Sequence, residues 1–204
     1  MDVRQTPERI LDAALASFAT RGYEATSLDG MAASLGVRKQ TILHHFGTKE
    51  RLLEAVVDRS AAELSAALER ALSRAGPGFE RVEALVKAVF RLAARRPALL
   101  GLLREVSRLG PPIASRLTAA LEPLVERARS FLEAEMAMGN VRRQDARLLL
   151  LSSYATVIGV ATEVEVLRAV GIEPSARSLV RRRNELLAFL RSALLVDVAS
   201  VAGS

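Results

Sequence analysis

Apolar residues recur along this chain at helical spacing. Ile10, Leu11, Ala14, Leu15 and Phe18 form one stripe, the signature of a helix with one buried face. Thr6-Pro7-Glu8 predicts its start, with a hydroxyl cap, proline at the first helical position and an acid in the first turn. Gly22 predicts its end, because glycine takes a left-handed conformation without penalty. A second, short helix is expected to open at Thr26 and Asp29, which resemble a capping box. Its apolar residues are Leu28, Met31, Ala32 and Leu35, and Gly36 breaks it. A third runs from about Arg38 to Phe46 and stops at Gly47. Thr48 then caps a longer helix through about Arg74.

Arg74-Ala75-Gly76-Pro77-Gly78 reads as a linker. Beyond it the pattern predicts helices over about 79–96, 97–109 and 113–138, then 144–170 and 175–198. Pro97, Gly110-Pro111-Pro112, Gly139-Asn140 and Gly171-Ile172-Glu173-Pro174 supply the breaks. The stretch 148–160 is apolar nearly all round, as expected of a helix enclosed by others or by a second subunit. The last helix is amphipathic, with Leu179, Leu186, Leu190 and Leu194 opposite Arg181, Arg183 and Arg191. Two such helices pair readily with their copies across a twofold axis to form a four-helix interface.

Composition agrees with an all-α chain. Of 204 residues, 50% are hydrophobic and only 4% aromatic, so the core must rest on Leu, Val, Ile and Ala. The absence of cysteine excludes disulfides, thiolate metal sites and cysteine nucleophiles. Residues 1–10 are polar and do not read as a signal peptide. The most apolar stretch, 148–161, contains Ser152, Ser153 and Thr156 and is shorter than the ~20 residues of a membrane span. A cytoplasmic protein without a membrane partner is expected. The net charge of +6 permits a polyanionic partner without requiring one. Local placement says more, since no acid occurs from Leu35 to Lys49.

That acid-free run carries the candidate chemistry. Two short helices around a glycine-containing turn match the helix-turn-helix pattern, whose second helix enters the DNA major groove. Ile42 and Phe46, four apart, should face the first two helices. Lys39, Gln40, Leu43 and His44 then project elsewhere, flanked by Arg38 and Thr41. Glutamine suits adenine, lysine suits guanine or phosphate, and leucine suits a thymine methyl. Lys49, at the next helix start, is placed to hold a phosphate.

The runs Ile10–Phe18, Arg21–Ser27 and Leu35–Glu50 resemble the TetR (tetracycline-repressor-like) family of regulators. The resemblance implies an N-terminal three-helix DNA-binding domain, residues 1–50, and a C-terminal helical ligand-binding and dimerisation domain, residues 51–204, with helix 48–74 bridging both. It implies a homodimer on a pseudopalindromic double-stranded DNA operator, released by a small-molecule effector. It further implies phosphate contacts from Thr26 and Ser27, groove contacts from Arg38, Lys39, Gln40, Thr41 and His44, and a backbone contact from Lys49. Two positions depart from the family pattern. Leu43 stands where tyrosine is usual, which removes a hydroxyl that reaches phosphate. Gln40 stands where a small residue is common, which adds a side chain able to read a base.

Competing readings are weaker. His44-His45 point about 100° apart on a helix, which does not suit a metal. The Arg181-Arg182-Arg183 run reads by default as a solvated face. Phe90, Met136, Met138, Tyr154 and Thr156 are candidates for lining a ligand pocket, and each taken singly is ordinary core. No cofactor motif or defensible nucleophile is present, so no enzyme is expected. Two alternatives to a DNA-binding repressor stay open. One is a helical small-molecule-binding protein with a vestigial DNA-binding unit; the other is a dimer acting through a partner regulator.

Overall fold

The structure, a computed structural model, describes residues 6–196. Among them are ten helices: α1 (Thr6–Arg21), α2 (Leu28–Leu35), α3 (Lys39–Phe46), α4 (Lys49–Leu72), α5 (Phe79–Arg95), α6 (Pro97–Leu109), α7 (Ile113–Ala137), α8 (Ala146–Thr162), α9 (Val164–Ala169) and α10 (Ala176–Leu194). No strand is present among the described residues; an isolated antiparallel bridge joins Val141 to Leu195. The fold is all-α, as expected. The last helix ends at Leu194, earlier than its pattern suggests, and positions 197 and 198 of the expected helix lie outside the described residues, as do residues 1–5. The helix expected over 144–170 is two helices. Glu163 takes φ −81°, ψ 80°, leaves the helical region and lets α9 restart, with no glycine or proline to mark the break.

The chain forms two compact units, each assembled from separate segments: Met1–Ala66 with Arg96–Glu122, and Ala67–Arg95 with Pro123–Ser204. Two helices, α4 and α7, contribute residues to both. In α7 the division falls at Pro123, which has no N–H to give to the carbonyl one turn back.

In the first unit α1 packs on α2, α3 and α6. Ile10, Ala14 and Phe18 are fully buried, as are Met31 of α2 and Leu99 of α6. Large apolar side chains sealed in this way stabilise by about 1.5–3 kcal/mol each. Close approach between α1 and α6 explains Gly101: a Cβ there would sit 3.1 Å from the Ala19 Cβ and 3.3 Å from its carbonyl oxygen. Arg59 of α4 reaches Glu8 (3.0 Å) and Asp12 (2.8 Å) of α1, and Arg116 of α7 pairs with Asp58 of α4 at 2.6 Å. Exposed pairs of this kind contribute about 0–1 kcal/mol each, so they set register more than stability.

In the second unit one core cluster joins Val86 and Phe90 of α5, Val157 and Ala161 of α8, and Leu186, Leu190 and Leu194 of α10. A smaller one joins Leu132 and Met136 of α7 with Val141 and Ala146. Asp145 caps α8 by accepting from the N–H groups of Arg147 (2.8 Å) and Leu148 (3.2 Å). Ser175 and Ser178 form a reciprocal capping box at the start of α10. The arginine run of α10 departs from its default reading. Arg181 is exposed and Arg183 half-buried, but Arg182 is only 8% exposed. Its guanidinium donates to the carbonyl of Val160 in the last turn of α8, while its Nε has no partner. Helical periodicity turns this one position of the three toward the cluster.

Candidate nucleic-acid interface

The α2–turn–α3 unit is fixed by glycine and by buried apolar anchors. Gly36 ends α2 in the left-handed region (φ 66°, ψ 33°), where a side chain would be strained. The N–H of Val37 then closes on the Ala32 carbonyl at 3.0 Å. Arg38 occupies the cap position of α3 in extended conformation. Ile42 is 1% exposed and ties α3 to the core; Phe46, one turn on, is half-buried. With that face held inward, Arg38, Lys39, Gln40 and His44 are exposed, and Thr41, Leu43 and His45 are half-buried. The acid-free segment therefore presents a contiguous polar and basic surface on a short helix.

Two details differ from expectation. The cap of α2 is Ser27, not Thr26: the Ser27 hydroxyl accepts from the Gly30 N–H at 3.0 Å. Thr26 is 2% exposed, with its hydroxyl donating to the Gly22 carbonyl at 2.8 Å and its N–H to the Tyr23 carbonyl at 3.2 Å. With both groups bonded internally, Thr26 has nothing left to offer a phosphate, and its phosphate role is withdrawn. Ser27 is exposed beside it. The second difference concerns Lys39. Its ammonium pairs with Asp29 of α2 at 2.8 Å, so an acid distant in sequence neutralises part of the basic surface.

Lys49 opens α4 next to Thr48, whose hydroxyl caps the Arg51 N–H at 3.2 Å. The Lys49 ammonium lies 4.2 Å from the centre of the Tyr23 ring and 3.4 Å from the Glu24 carbonyl oxygen. Tyr23, which the sequence reading left unassigned, organises this corner. Its ring packs on Phe18 with centroids 5.5 Å apart, and its hydroxyl donates to Glu50 at 3.1 Å. Its N–H donates to the Glu105 carboxylate of α6 at 2.6 Å. Burial, then the bond to Glu50, push the phenol up to about 12. The Glu50 carboxyl is held below the usual range by its own N–H at the helix start and by the Thr48 and Tyr23 hydroxyls. A tyrosine two residues past the end of α1 was the available signal for this role.

The residues considered for a ligand pocket do not converge. Phe90 sits in the larger core cluster and Met136 in the smaller. Tyr154 and Met138 are 54% and 63% exposed. Thr156 is half-buried, with its hydroxyl bonded to the Ser152 carbonyl at 2.7 Å. His44 and His45 stack edge to face at 5.3 Å, and no cluster of three or more potential metal ligands occurs among the described residues. No helix among them is long and apolar enough to cross a membrane.

Comparison with known proteins agrees with this geometry. Residues 10–56 match the family model for bacterial regulatory proteins of the tetR family, the segment that spans the stripe of α1, the helix-turn-helix and the start of α4. The chain is 31% identical over 96 residues to the HTH-type transcriptional repressor KstR of Mycolicibacterium smegmatis, covering 47% of each chain; the match thus spans about half the length of that relative. Among solved structures, a putative transcriptional regulator from Saccharomonospora viridis in complex with choline is similar over 95% of this chain and 100% of its own. The TM-score is 0.77 at 21% identity. FadR from Bacillus subtilis in complex with stearoyl-CoA is similar over 91% and 98%, with a TM-score of 0.75 at 20% identity. These likenesses carry the whole helical fold, and the N-terminal match carries the motif. Over residues 10–56 the chain carries the N-terminal segment of the tetR family of bacterial regulatory proteins.

Proposed function

We propose that the chain is a sequence-specific DNA-binding transcriptional regulator, a repressor released from a palindromic operator by a small, largely apolar ligand. Residues 1–50 read the DNA; residues 51–204 bind the ligand and form a homodimer. The observation that carries this is the exposed face of α3. Arg38, Lys39, Gln40 and His44 face outward from a helix pinned by Ile42, with Ser27 and Lys49 at neighbouring helix starts. A base-edge contact comes from Gln40, and Lys39, once it leaves Asp29, reaches a phosphate; Leu43 and Thr41 supply apolar and short polar contacts at the groove wall. Ser27, Arg38 and Lys49 hold phosphates.

A twofold partner accounts for an otherwise costly surface. Leu148, Leu151 and Tyr154 on α8, and Phe189 on α10, are each more than half exposed, and α8 and α10 pack side by side. On α8 this face continues through the exposed Ala155 to the half-buried Gly159, where an added Cβ would meet nothing within 4 Å. Such a face suits close approach of a second copy, and Tyr154 then belongs to the dimer contact instead of a pocket. Ligand complexes of two structural neighbours, one with choline and one with stearoyl-CoA, support an effector-binding role for the second domain.

The test is selection of bound sequences from random duplex DNA, followed by anisotropy titration across salt and addition of candidate effectors. An enriched inverted repeat binding two subunits is the expected result. Salt-sensitive binding with no enriched sequence would favour the alternative of a ligand-binding protein whose DNA-reading unit is vestigial.

A further inference from the structure

In the second unit a cleft of about 480 Å³ opens between the start of α5, the end of α7 and the end of α10. Its size lies within the roughly 300–1,000 Å³ of small-molecule sites. Phe79 and Val82 of α5, Phe131 and Leu132 of α7, Val141 and Leu195 give it apolar walls. Among the described residues a single ionisable side chain lines it, Glu135, which is 7% exposed. That carboxylate accepts from the Asn140 amide at 3.0 Å, a neutral donor, and among the described residues no lysine or arginine pairs with it. Basic groups beside the walls are engaged otherwise: the Arg142 guanidinium donates to the Leu195 carbonyl at 3.2 Å. Arg191 pairs with Glu83 at 2.7 Å and lies 4.5 Å from the Phe79 ring centre; Arg81 lies over the Phe131 ring at 5.4 Å.

We infer that this cleft binds a lipophilic cation, an apolar body that ends in an ammonium group seated against Glu135. A carboxylate offers about four acceptor positions, and one amide fills one of them. A charge-assisted bond from an ammonium is roughly twice as strong as a neutral one, and apolar walls keep water from screening it. The same carboxylate repels an anionic head group. The inference rests on the proposed role of residues 51–204 as the effector-binding part, and it assigns that effector a place and a charge.

The test uses three probes of one shape on the full-length protein: 4-phenylbutylamine, protonated at neutral pH, neutral 4-phenylbutanol and anionic 4-phenylbutyrate, each titrated by calorimetry. The amine is expected to bind about tenfold or more tighter than the alcohol, as one charge-assisted contact supplies, and the acid weakest. Glu135→Gln keeps the bond from Asn140 and should bring amine and alcohol to equal affinity. Val82→Trp, which fills the cleft and spares the carboxylate, should weaken both together. Equal binding of amine and alcohol to the unaltered protein, or a preference that survives Glu135→Gln, overturns the charge assignment and leaves an effector role standing. Binding of none of the three overturns the cleft as the site. The effector role itself is judged separately, by release of the selected operator.

Discussion

Lys39 and Gln40 are neighbours at the start of α3, yet the structure treats them differently. Gln40 is exposed and has no hydrogen-bond partner among the described residues, whereas Lys39 is paired with Asp29 at 2.8 Å. Replacing Gln40 with Ala should cost about 1–3 kcal/mol on the preferred duplex and little on others, the mark of a base contact. Asp29→Asn should instead strengthen binding to all sequences and steepen the salt slope by about one unit, because Lys39 becomes free for phosphate. Anisotropy on specific and scrambled duplexes separates the two, and an unchanged slope would mean that the pair opens on the DNA without cost. Tyr23 offers a second test. Its folded pKa is raised from 10.0 to about 12, so an unfolded chain sheds this proton first. The phenol's contribution to stability is fully present below pH 10 and is lost as pH rises toward 12. The ultraviolet difference between wild type and Tyr23→Phe should therefore show a phenol ionising near pH 12, and the variant should lose less stability than wild type across that interval.

At the scale of elements, periodicity placed the helices and side-chain chemistry set their ends. Glycines at 22, 36 and 47 close the first three helices with positive φ, as their positions after each apolar stripe predict. Capping is subtler: Ser27, not the adjacent Thr26, caps α2, since the extended backbone of Ser27 (φ −102°, ψ 146°) aims its hydroxyl at the first turn, while the Thr26 hydroxyl is bonded to the Gly22 carbonyl. The arginines of α10 show how a charged run can mislead. Arg182 is turned inward by helical geometry, desolvated, and met by a main-chain carbonyl at the end of α8. Burial pulls its pKa down. Replacing an underpartnered buried charge with an apolar side chain of similar reach is often neutral or stabilising, so Arg182→Met should leave the melting temperature unchanged or raise it. A drop of several degrees in thermal denaturation would show that the bond to Val160 outweighs the desolvation.

For the whole molecule, the apolar residues left outside say as much as the core. Leu151 is 62% exposed, so Leu151→Glu removes little from the fold of one chain. In a dimer built on the α8–α10 face it would bury an unpaired carboxylate, a cost of about 2–5 kcal/mol. Sedimentation should then show a monomer with an undiminished helical spectrum and strongly weakened operator binding; an unchanged sedimentation profile would remove this face from the dimer. A twofold dimer also imposes phase on its DNA. Half-sites about 10 bp apart, or a multiple of that, should bind well, and insertion of half a turn should abolish binding by two subunits at once.

By itself the sequence determined the all-α class, the order of the helices and the motif from Thr26 to Lys49, because those depend on local rules: a 3.6-residue apolar period, glycine after each stripe, and side chains three or four apart sharing a face. It also determined which residues of α3 could face outward, once Ile42 and Phe46 were taken as anchors. Tertiary structure alone decided the rest. The pairing of Lys39 with Asp29, the clasp of Tyr23 by Glu50 and Glu105, and the packing of α6 on α1 through Gly101 join groups distant along the chain. No periodicity records such contacts. The cleft around Glu135 has the same origin: its walls come from α5, α7 and the end of α10, and an isolated glutamate on an amphipathic helix gives no sign that folding will surround it with apolar side chains.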